Sequence, residues 1–232
     1  MADERQGGLW SRKGFFVLFV FLLVLCLFFV SFIGTDQTLL DRATGWAVAT
    51  VNVRNGTIVE CATDIPVGQS LFSAYCIGMY ENPANLFQNV SGFSYLFEYS
   101  PGVATDYWKS YNPTLPNWTV QDLTYVSRLK GYVIGMSAEG HFSYLGILKS
   151  QEDVPVDSGY NLISYPLAVV KDINESLSSV YGTYTHVVGY NTTIADYVLF
   201  IPDLDNNSLN YTVPFQAYWI NMTADGTINF VA

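Results

Sequence analysis

His141 and His186 are the candidate general bases of this 232-residue chain. A nucleophilic enzyme needs such a base within hydrogen-bond reach of a Ser, Thr or Cys, with a third group to orient it. The two histidines occupy non-equivalent positions of the internal repeat described below. The sequence contains no G-x-S-x-G, H-E-x-x-H, P-loop or C-x-x-C motif. We therefore expect surface or structural histidines and no enzyme. A glycosidase with two catalytic carboxylates stays an open alternative, because the distance between the two carboxylates is defined only by the three-dimensional structure.

Metal ligands and phosphate-binding charges are scarce. Residues 203–207 (DLDNN) resemble half of a calcium loop, but the loop's Gly and distal Glu are missing. The chain has 20 acidic and 10 basic residues, which argues against nucleic acid as a partner. Aromatic residues make up 16 % and charged residues only 13 %, which excludes intrinsic disorder. We predict no metal site and no cofactor.

The three cysteines fall into two classes. Cys26 lies inside a long apolar run and is interpreted as a small apolar residue. Cys61 and Cys76 lie beyond that run, where an isolated pair outside the cell forms a disulfide more often than a catalytic thiol. The closed loop would contribute about 3 kcal/mol by the chain-entropy estimate.

Glycosylation sequons of the form N-x-[ST] are in excess. Chance would place roughly two in a chain with this Asn, Ser and Thr content, whereas eight occur, all beyond the apolar run. The predicted glycosylation sites are Asn55, Asn89, Asn117, Asn174, Asn191, Asn206, Asn210 and Asn221.

Residues 15–33 predict a transmembrane helix. The nineteen residues contain no charge, proline or glycine, and as a helix they span roughly 28 Å, the thickness of the hydrocarbon core. Arg12 and Lys13 precede the run, so the positive-inside rule keeps residues 1–14 cytoplasmic and places residues 35–232 outside the cell.

The fate of this helix has three readings. The first is a retained signal-anchor in the membrane lipid, favoured by the length of the run. The second is an ordinary cleaved signal peptide, which usually has a shorter apolar region. The third follows from residues 12–14 (RKG), which resemble the cleavage site of archaeal type IV pilin precursors and would release a chain beginning at Phe15.

An internal repeat is the most informative pattern in the rest of the chain. Residues 68–73 (GQSLFS) align with 159–164 (GYNLIS), and residues 131–140 align with 217–226 (AYWINMTADG). The blocks occur in the same order over about 75 residues, so we infer a tandem duplication.

Each copy predicts an antiparallel sheet with one short helix. In the second copy, a D-x-x-E capping box predicts a helix over residues 173–180, and residues 162–168, 185–190 and 197–201 predict strands. Residues 217–222 and 227–231 predict a hairpin. In the first copy, Asn82 and Pro83 predict the helix start.

The fold class is thus mainly β, with α+β modules behind a transmembrane helix. The predicted boundaries are a cytoplasmic segment 1–14, the helix 15–33, a membrane-proximal segment 34–66 that adds strands to the first module, module 1 at 67–148, a polar linker at 149–157, and module 2 at 158–232.

The repeat motifs G-Y-N-L-I-S-Y-P and A-Y-W-I-N-M-T-A-D-G resemble a surface module of cell-envelope proteins from thermophilic archaea and some bacteria. The second copy matches the module well, whereas the first is divergent. The resemblance implies an exported, non-catalytic building block. Spacing favours a core position over ligand stacking for Tyr160 and Trp219.

Together these features predict a membrane-anchored, glycosylated extracellular protein with a structural or adhesive role in an archaeal cell envelope. Its expected partners are itself or surface-layer and other envelope proteins. The alternatives are a pilin-like filament subunit processed after Gly14, or a virion surface protein of an archaeal virus.

Overall fold

The computed structural model describes residues 58–101, 106–116 and 118–232, all within one compact unit, Asn55–Ala232. The predicted cytoplasmic segment, the transmembrane helix and most of the membrane-proximal segment lie outside the described residues. Within the described ranges, no helix is both long and apolar enough to cross a membrane.

The first copy places one short helix between its second and third strands. Its elements are β1 (Ile58–Ile65), β2 (Gly68–Phe72), α1 (Pro83–Phe87), β3 (Phe93–Tyr99), β4 (Trp108–Tyr111), β5 (Tyr132–Met136) and β6 (Gly140–Ile147).

The second copy repeats this order and adds two very short strands. Its elements are β7 (Gln151–Val156), β8 (Gly159–Ser164), β9 (Lys171–Asp172), α2 (Ile173–Ser176), a 3₁₀ turn (Ser178–Val180), β10 (Tyr184–Asn191), β11 (Asp196–Phe200), β12 (Tyr211–Thr212), β13 (Ala217–Met222) and β14 (Gly226–Val231).

Both copies have the same sheet topology. The first forms a four-stranded antiparallel sheet of order β2-β5-β3-β4 and a separate two-stranded ribbon, β1–β6. The second forms the equivalent sheet β8-β13-β10-β11 and the ribbon β7–β14, with β9 paired to β12. The prediction of a mainly β fold with antiparallel sheets is confirmed.

The predicted hairpin at residues 217–222 and 227–231 is wrong in its pairing. Both segments are strands, but β13 pairs with β8 and β10, whereas β14 pairs with β7. The turn therefore carries the chain from the sheet to the ribbon. Alternation of apolar and polar residues shows that each strand has one buried face, but it does not reveal which strand is its neighbour.

The predicted polar linker at residues 149–157 is also corrected. Most of it forms β7, and Val154 and Val156 are buried in the second core. The strand β7 is the counterpart of β1, which pairs with β6 as β7 pairs with β14. The repeat unit in the structure therefore begins with a strand that the sequence blocks did not include.

Both helices start where their capping residues predict. The Asn82 side chain accepts a hydrogen bond from the backbone N–H of Ala84 (2.8 Å), and Pro83 takes the first helical position. In the second copy, the Asp172 carboxylate accepts from the backbone N–H of Asn174 (2.8 Å). The strand predicted over residues 162–168 instead begins and ends earlier, because β8 covers Gly159–Ser164.

Each copy has a separate hydrophobic core that gathers residues from its sheet, its ribbon and its helix. At the centre of the first core, the buried hydroxyl of Tyr132 accepts a hydrogen bond from the backbone N–H of Ser127 (2.6 Å). The second core repeats this contact between Tyr218 and Val213 (2.8 Å). Burial raises the pKa of both hydroxyls above the ordinary value.

The two copies exchange a side chain. Leu129 of the first copy packs against the second core, and Phe215 of the second copy packs against the first core. The Phe215 ring centroid lies 4.7 Å from that of Tyr75, 6.0 Å from Phe142 and 6.5 Å from Phe72. The copies therefore pack together as one body and are not independent beads on a string.

Backbone hydrogen bonds and an apolar cluster reinforce this contact. The N–H of Ser73, after β2, donates to the Phe215 carbonyl (2.9 Å), and the N–H of Gly131 donates to the Leu162 carbonyl on β8 (3.1 Å). Residues from both sheets pack in a third apolar cluster: Leu71, Val133, Leu162 and Ala217.

An ion pair also joins the copies. The Nε and Nη2 atoms of Arg128 donate to the two carboxylate oxygens of Glu152 on β7, at 3.1 and 3.0 Å. Both side chains are only 13 % exposed. This two-point geometry holds the planar guanidinium in one orientation against the second ribbon.

Candidate functional site

The two histidines do not form a catalytic group with a nucleophile. His141 Nδ1 lies 2.7 Å from Asp64 Oδ1 on the first ribbon, and both side chains are largely exposed. His186 Nδ1 lies 2.9 Å from the hydroxyl of its neighbour Thr185. Among the described residues, neither histidine has both a nucleophile and an orienting carboxylate within hydrogen-bond distance.

The predicted disulfide between Cys61 and Cys76 is confirmed. It joins β1 to the segment after β2, with a Cα–Cα distance of 6.4 Å, and both cysteines are buried. Tyr75 packs in the same cluster, and burial raises the pKa of its hydroxyl. The bridge therefore fixes the ribbon of the first copy to the loop that receives Phe215.

The described sequon asparagines lie at the surface or are partly accessible. None of these six is buried, whereas Asn55 and Asn117 lie outside the described residues. Four are exposed: Asn89, Asn174, Asn206 and Asn210. Two are half-buried: Asn191 and Asn221. Attachment of a glycan to the exposed four would disturb no core packing.

No group of three or more His, Cys, Asp and Glu side chains in the described part of the chain could hold a metal ion. The partial calcium loop at residues 203–207 instead forms local hydrogen bonds. Asn207 Nδ2 donates to the carbonyls of Ile201 and Leu204, at 2.9 and 2.8 Å.

A charged pocket of about 220 Å³ lies beside Tyr80 and Tyr125 in the first copy. Its buried carboxylate, Glu98, accepts a hydrogen bond from the Ser100 hydroxyl (3.0 Å) and lies 3.7 Å from the Lys109 ammonium. The Lys109 cation and the Ser100 hydroxyl thus compensate for the loss of water around this carboxylate, which accounts for its burial.

A different feature, an aromatic surface, covers the sheet face of the first copy opposite its core. Tyr95 and Phe97 alternate along β3 with Leu96, which is fully buried in the core, so their rings lie on the other face. The ring of Tyr95 lies directly over Gly135 on β5, where any Cβ atom would overlap the ring. Glycine therefore lets the tyrosine ring lie close against the sheet.

Further rings complete a cleft on this face. The Phe97 centroid lies 5.1 Å from that of Tyr95, and Trp108 on β4 lies 6.3 Å from Phe97 with its plane turned by 82°. Together with Gln69 and Val133, these three rings line a cleft of about 440 Å³. We call these five residues the aromatic cleft. Trp108 is 41 % exposed, so its ring is accessible to a ligand.

The aromatic surface continues to the junction with the second copy. The Tyr99 centroid lies 5.3 Å from that of Trp108 and 5.1 Å from that of Trp219. Trp219 is half-buried between the sheets and belongs to the cluster that joins the copies. This aromatic packing ties the outer rim of the cleft to the second copy.

The second copy has no equivalent cleft. Strand register places His186 opposite Asn221, as it places Tyr95 opposite Gly135 in the first copy. Asn221 carries a side chain where the first copy has none, and it donates to Thr185 Oγ1 (3.0 Å). A flat aromatic ring cannot occupy this position in the second copy.

Sequence reasoning missed the aromatic cleft. The signal was the alternation Tyr-x-Phe-x-Tyr over residues 95–99, which places three rings on one face of a strand. The prediction that Tyr160 is a core residue is wrong, because its side chain is 50 % exposed at the sheet edge beside His186. Trp219 is partly buried, but at the junction between the copies.

Comparisons with known proteins provide no assignment for this arrangement: no family model matches the chain, and no curated protein or solved structure is significantly similar to it.

Proposed function

We propose that the chain is a membrane-anchored, glycosylated extracellular protein with a structural or adhesive role in a cell envelope. The observation that carries this proposal is the aromatic cleft on a rigid scaffold of two packed copies. Surface aromatic rings of this kind supply contact energy with little loss of side-chain freedom, which suits adhesion.

Three further features support the extracellular location. The apolar run at residues 15–33 has the length of a membrane anchor, with its basic flank on the N-terminal side. The Cys61–Cys76 disulfide is of a kind that persists in oxidising compartments. The exposed sequon asparagines are compatible with glycans on a surface that has few charges.

The location is tested by protease treatment of intact cells that express the full chain with one tag at each end. We expect the C-terminal tag and residues 58–232 to be digested before lysis, while the N-terminal tag survives. Protection of the C-terminal tag until lysis would contradict the proposal. A mature chain that begins at Phe15 and sediments as filaments without detergent would instead favour the filament-subunit alternative.

Glycosylation is tested by intact-mass analysis of the native protein, followed by peptide mapping. We expect glycan mass on the peptides that contain Asn89, Asn174, Asn206 or Asn210. Unmodified asparagine at all of these positions would mean that the sequon excess only reflects composition.

A further inference from the structure

We propose that the aromatic cleft binds neutral saccharides by stacking a pyranose ring on Tyr95. This inference rests on the proposed function, because it names the ligand class of the adhesive surface. It is specific to the first copy.

The ring of Tyr95 provides the stacking surface of the cleft. Because the inner face of the Tyr95 ring covers Gly135, its outer face is turned toward the cleft. An aromatic face carries partial negative charge, and it attracts the polarised C–H bonds on the apolar face of a sugar ring. Phe97 lies between the other two rings, with its centroid 5.1 Å from that of Tyr95 and 6.3 Å from that of Trp108, whose plane is turned by 82° relative to Phe97.

The lining of the cleft carries no charged side chain. None of the five residues of the aromatic cleft is Asp, Glu, Lys, Arg or His. An acidic or basic ligand would therefore lose water without gaining a charged partner, which disfavours it. Gln69 is exposed, and its amide both donates and accepts hydrogen bonds, as sugar hydroxyls require.

The cleft has the size of a small-molecule site. The cleft volume of about 440 Å³ lies within the range of roughly 300–1,000 Å³ that is typical of small-molecule sites. The cleft is therefore large enough to receive a short stretch of glycan.

The second copy provides an internal control. Tyr197 pairs with Tyr190 on the neighbouring strand as Trp108 pairs with Tyr99, so Tyr197 is the structural counterpart of Trp108. It is 56 % exposed and its centroid lies 5.3 Å from that of Tyr190, but the position of Tyr95 is taken by His186, opposite Asn221. Removal of the Tyr197 ring therefore controls for the loss of an exposed aromatic residue.

The test uses the full chain, produced in a host without N-glycosylation and held in a detergent that has no sugar headgroup. The probes are cellotetraose, chitotetraose, mannotriose and the neutral glycans released from the native protein. Saturation-transfer NMR detects contact, and titration gives the Kd. We expect millimolar or tighter binding of at least one probe. Tyr95→Ala and Trp108→Ala should each weaken it about fivefold or more, because each removes an aromatic ring that the sugar contacts.

Tyr197→Ala should bind like the unmodified chain, and unchanged thermal unfolding should show that each variant is folded. Gly135→Ala tests the geometry separately, because it displaces the Tyr95 ring without removing any side chain of the cleft, and it should weaken binding as well. Binding of none of the four probes, or binding that survives Tyr95→Ala, overturns the proposal.

The probes also distinguish two sources of the ligand. Selective binding of the released native glycans points to glycans on neighbouring copies, whereas preference for the other probes points to foreign glycans. Failure of this binding test leaves the protease result on intact cells unaffected, so the saccharide proposal and the extracellular location fail independently.

Discussion

Replacement of Phe215 by Ala should destabilise both copies, although the residue belongs to the second. Its ring packs against the first core beside Tyr75, Phe142 and Phe72, while its carbonyl accepts a hydrogen bond from Ser73. The substitution removes the ring and leaves the backbone contact in place. A cavity then opens in the first copy at the point where the second copy anchors it.

The expected loss follows from the burial of the ring. Phe→Ala in a well-packed core costs about 3–5 kcal/mol. Phe215 is half-buried, so we expect about 2–3 kcal/mol. The residue also has a φ of +65°, where a Cβ atom costs roughly 1–2 kcal/mol. Phe215→Gly should therefore be about 1 kcal/mol more stable than Phe215→Ala, although it has lost more side chain.

Two measurements test this expectation, and the second distinguishes the two copies. Urea unfolding gives the change in the free energy of unfolding. Hydrogen exchange with peptide resolution reports on β5 of the first copy and β13 of the second. Phe215→Ala should accelerate exchange in both strands. Tyr211→Ala, which removes an exposed ring four residues earlier, should leave exchange in β5 unchanged.

Three results would contradict these expectations. A loss below about 1 kcal/mol would show that the ring contributes little packing energy. Faster exchange confined to β13 would show that the two cores unfold independently. Phe215→Gly that is less stable than Phe215→Ala would contradict the role assigned to the positive φ.

Serine at both Cys61 and Cys76 should lower the free energy of unfolding by about 3 kcal/mol, since the bridge closes a loop across a separation of 15 residues; a urea midpoint equal to that of the unmodified chain would exclude a stabilising bridge. The free energy of unfolding should fall as the pH rises above about 10, because the unfolded chain then releases protons that the native state retains. Burial raises the pKa of Tyr184 to about 12, so Tyr184→Phe should make urea unfolding less sensitive to pH between about 10 and 12, and an unaltered pH slope would count against this assignment. Arg128→Met should cost about 1.5–3 kcal/mol, because it leaves a poorly exposed carboxylate without its two hydrogen bonds. Lys109→Met should cost less than Arg128→Met, because the buried Glu98 then loses only a 3.7 Å contact with an exposed ammonium and keeps its hydrogen bond from Ser100, and equal losses in thermal unfolding would be incompatible with this difference.

Local features of the fold could be predicted from short stretches of sequence. Asn82 and Asp172 begin their helices as predicted, because a capping side chain binds backbone groups only two or three residues away. The strands at residues 185–190 and 197–201 were also found, because alternation of buried and exposed residues is a property of a single strand.

Strand pairing could not be predicted in the same way. The segments that became β13 and β14 are separated by a short turn, yet they belong to different sheets. The sheet that each segment joins depends on its partner strand, β8 for β13 and β7 for β14, and these partners lie about 60 to 75 residues earlier in the chain. For the same reason, the polar residues of β7 resembled a linker until a partner strand was present to bury Val154 and Val156.

The aromatic cleft illustrates the same limit for the candidate site. Tyr95 and Phe97 could be placed on one face from their spacing alone, but Gly135 and Trp108 join them only across neighbouring strands. A glycine beneath a flat ring leaves no local signal in the sequence, because its role depends entirely on what lies opposite.

The strand periodicity and the helix caps follow from the order of residues along the chain, because each depends on near neighbours. The duplication follows from matching blocks in the same order, and the Cys61–Cys76 pairing from there being one available partner. Tertiary contacts, in contrast, settle which strands share a sheet, the packing of Leu129 and Phe215 against the core of the other copy, and the gathering of the aromatic cleft on the first copy. These features depend on contacts between residues far apart in the chain, whose free energy is realised only when the whole body has folded.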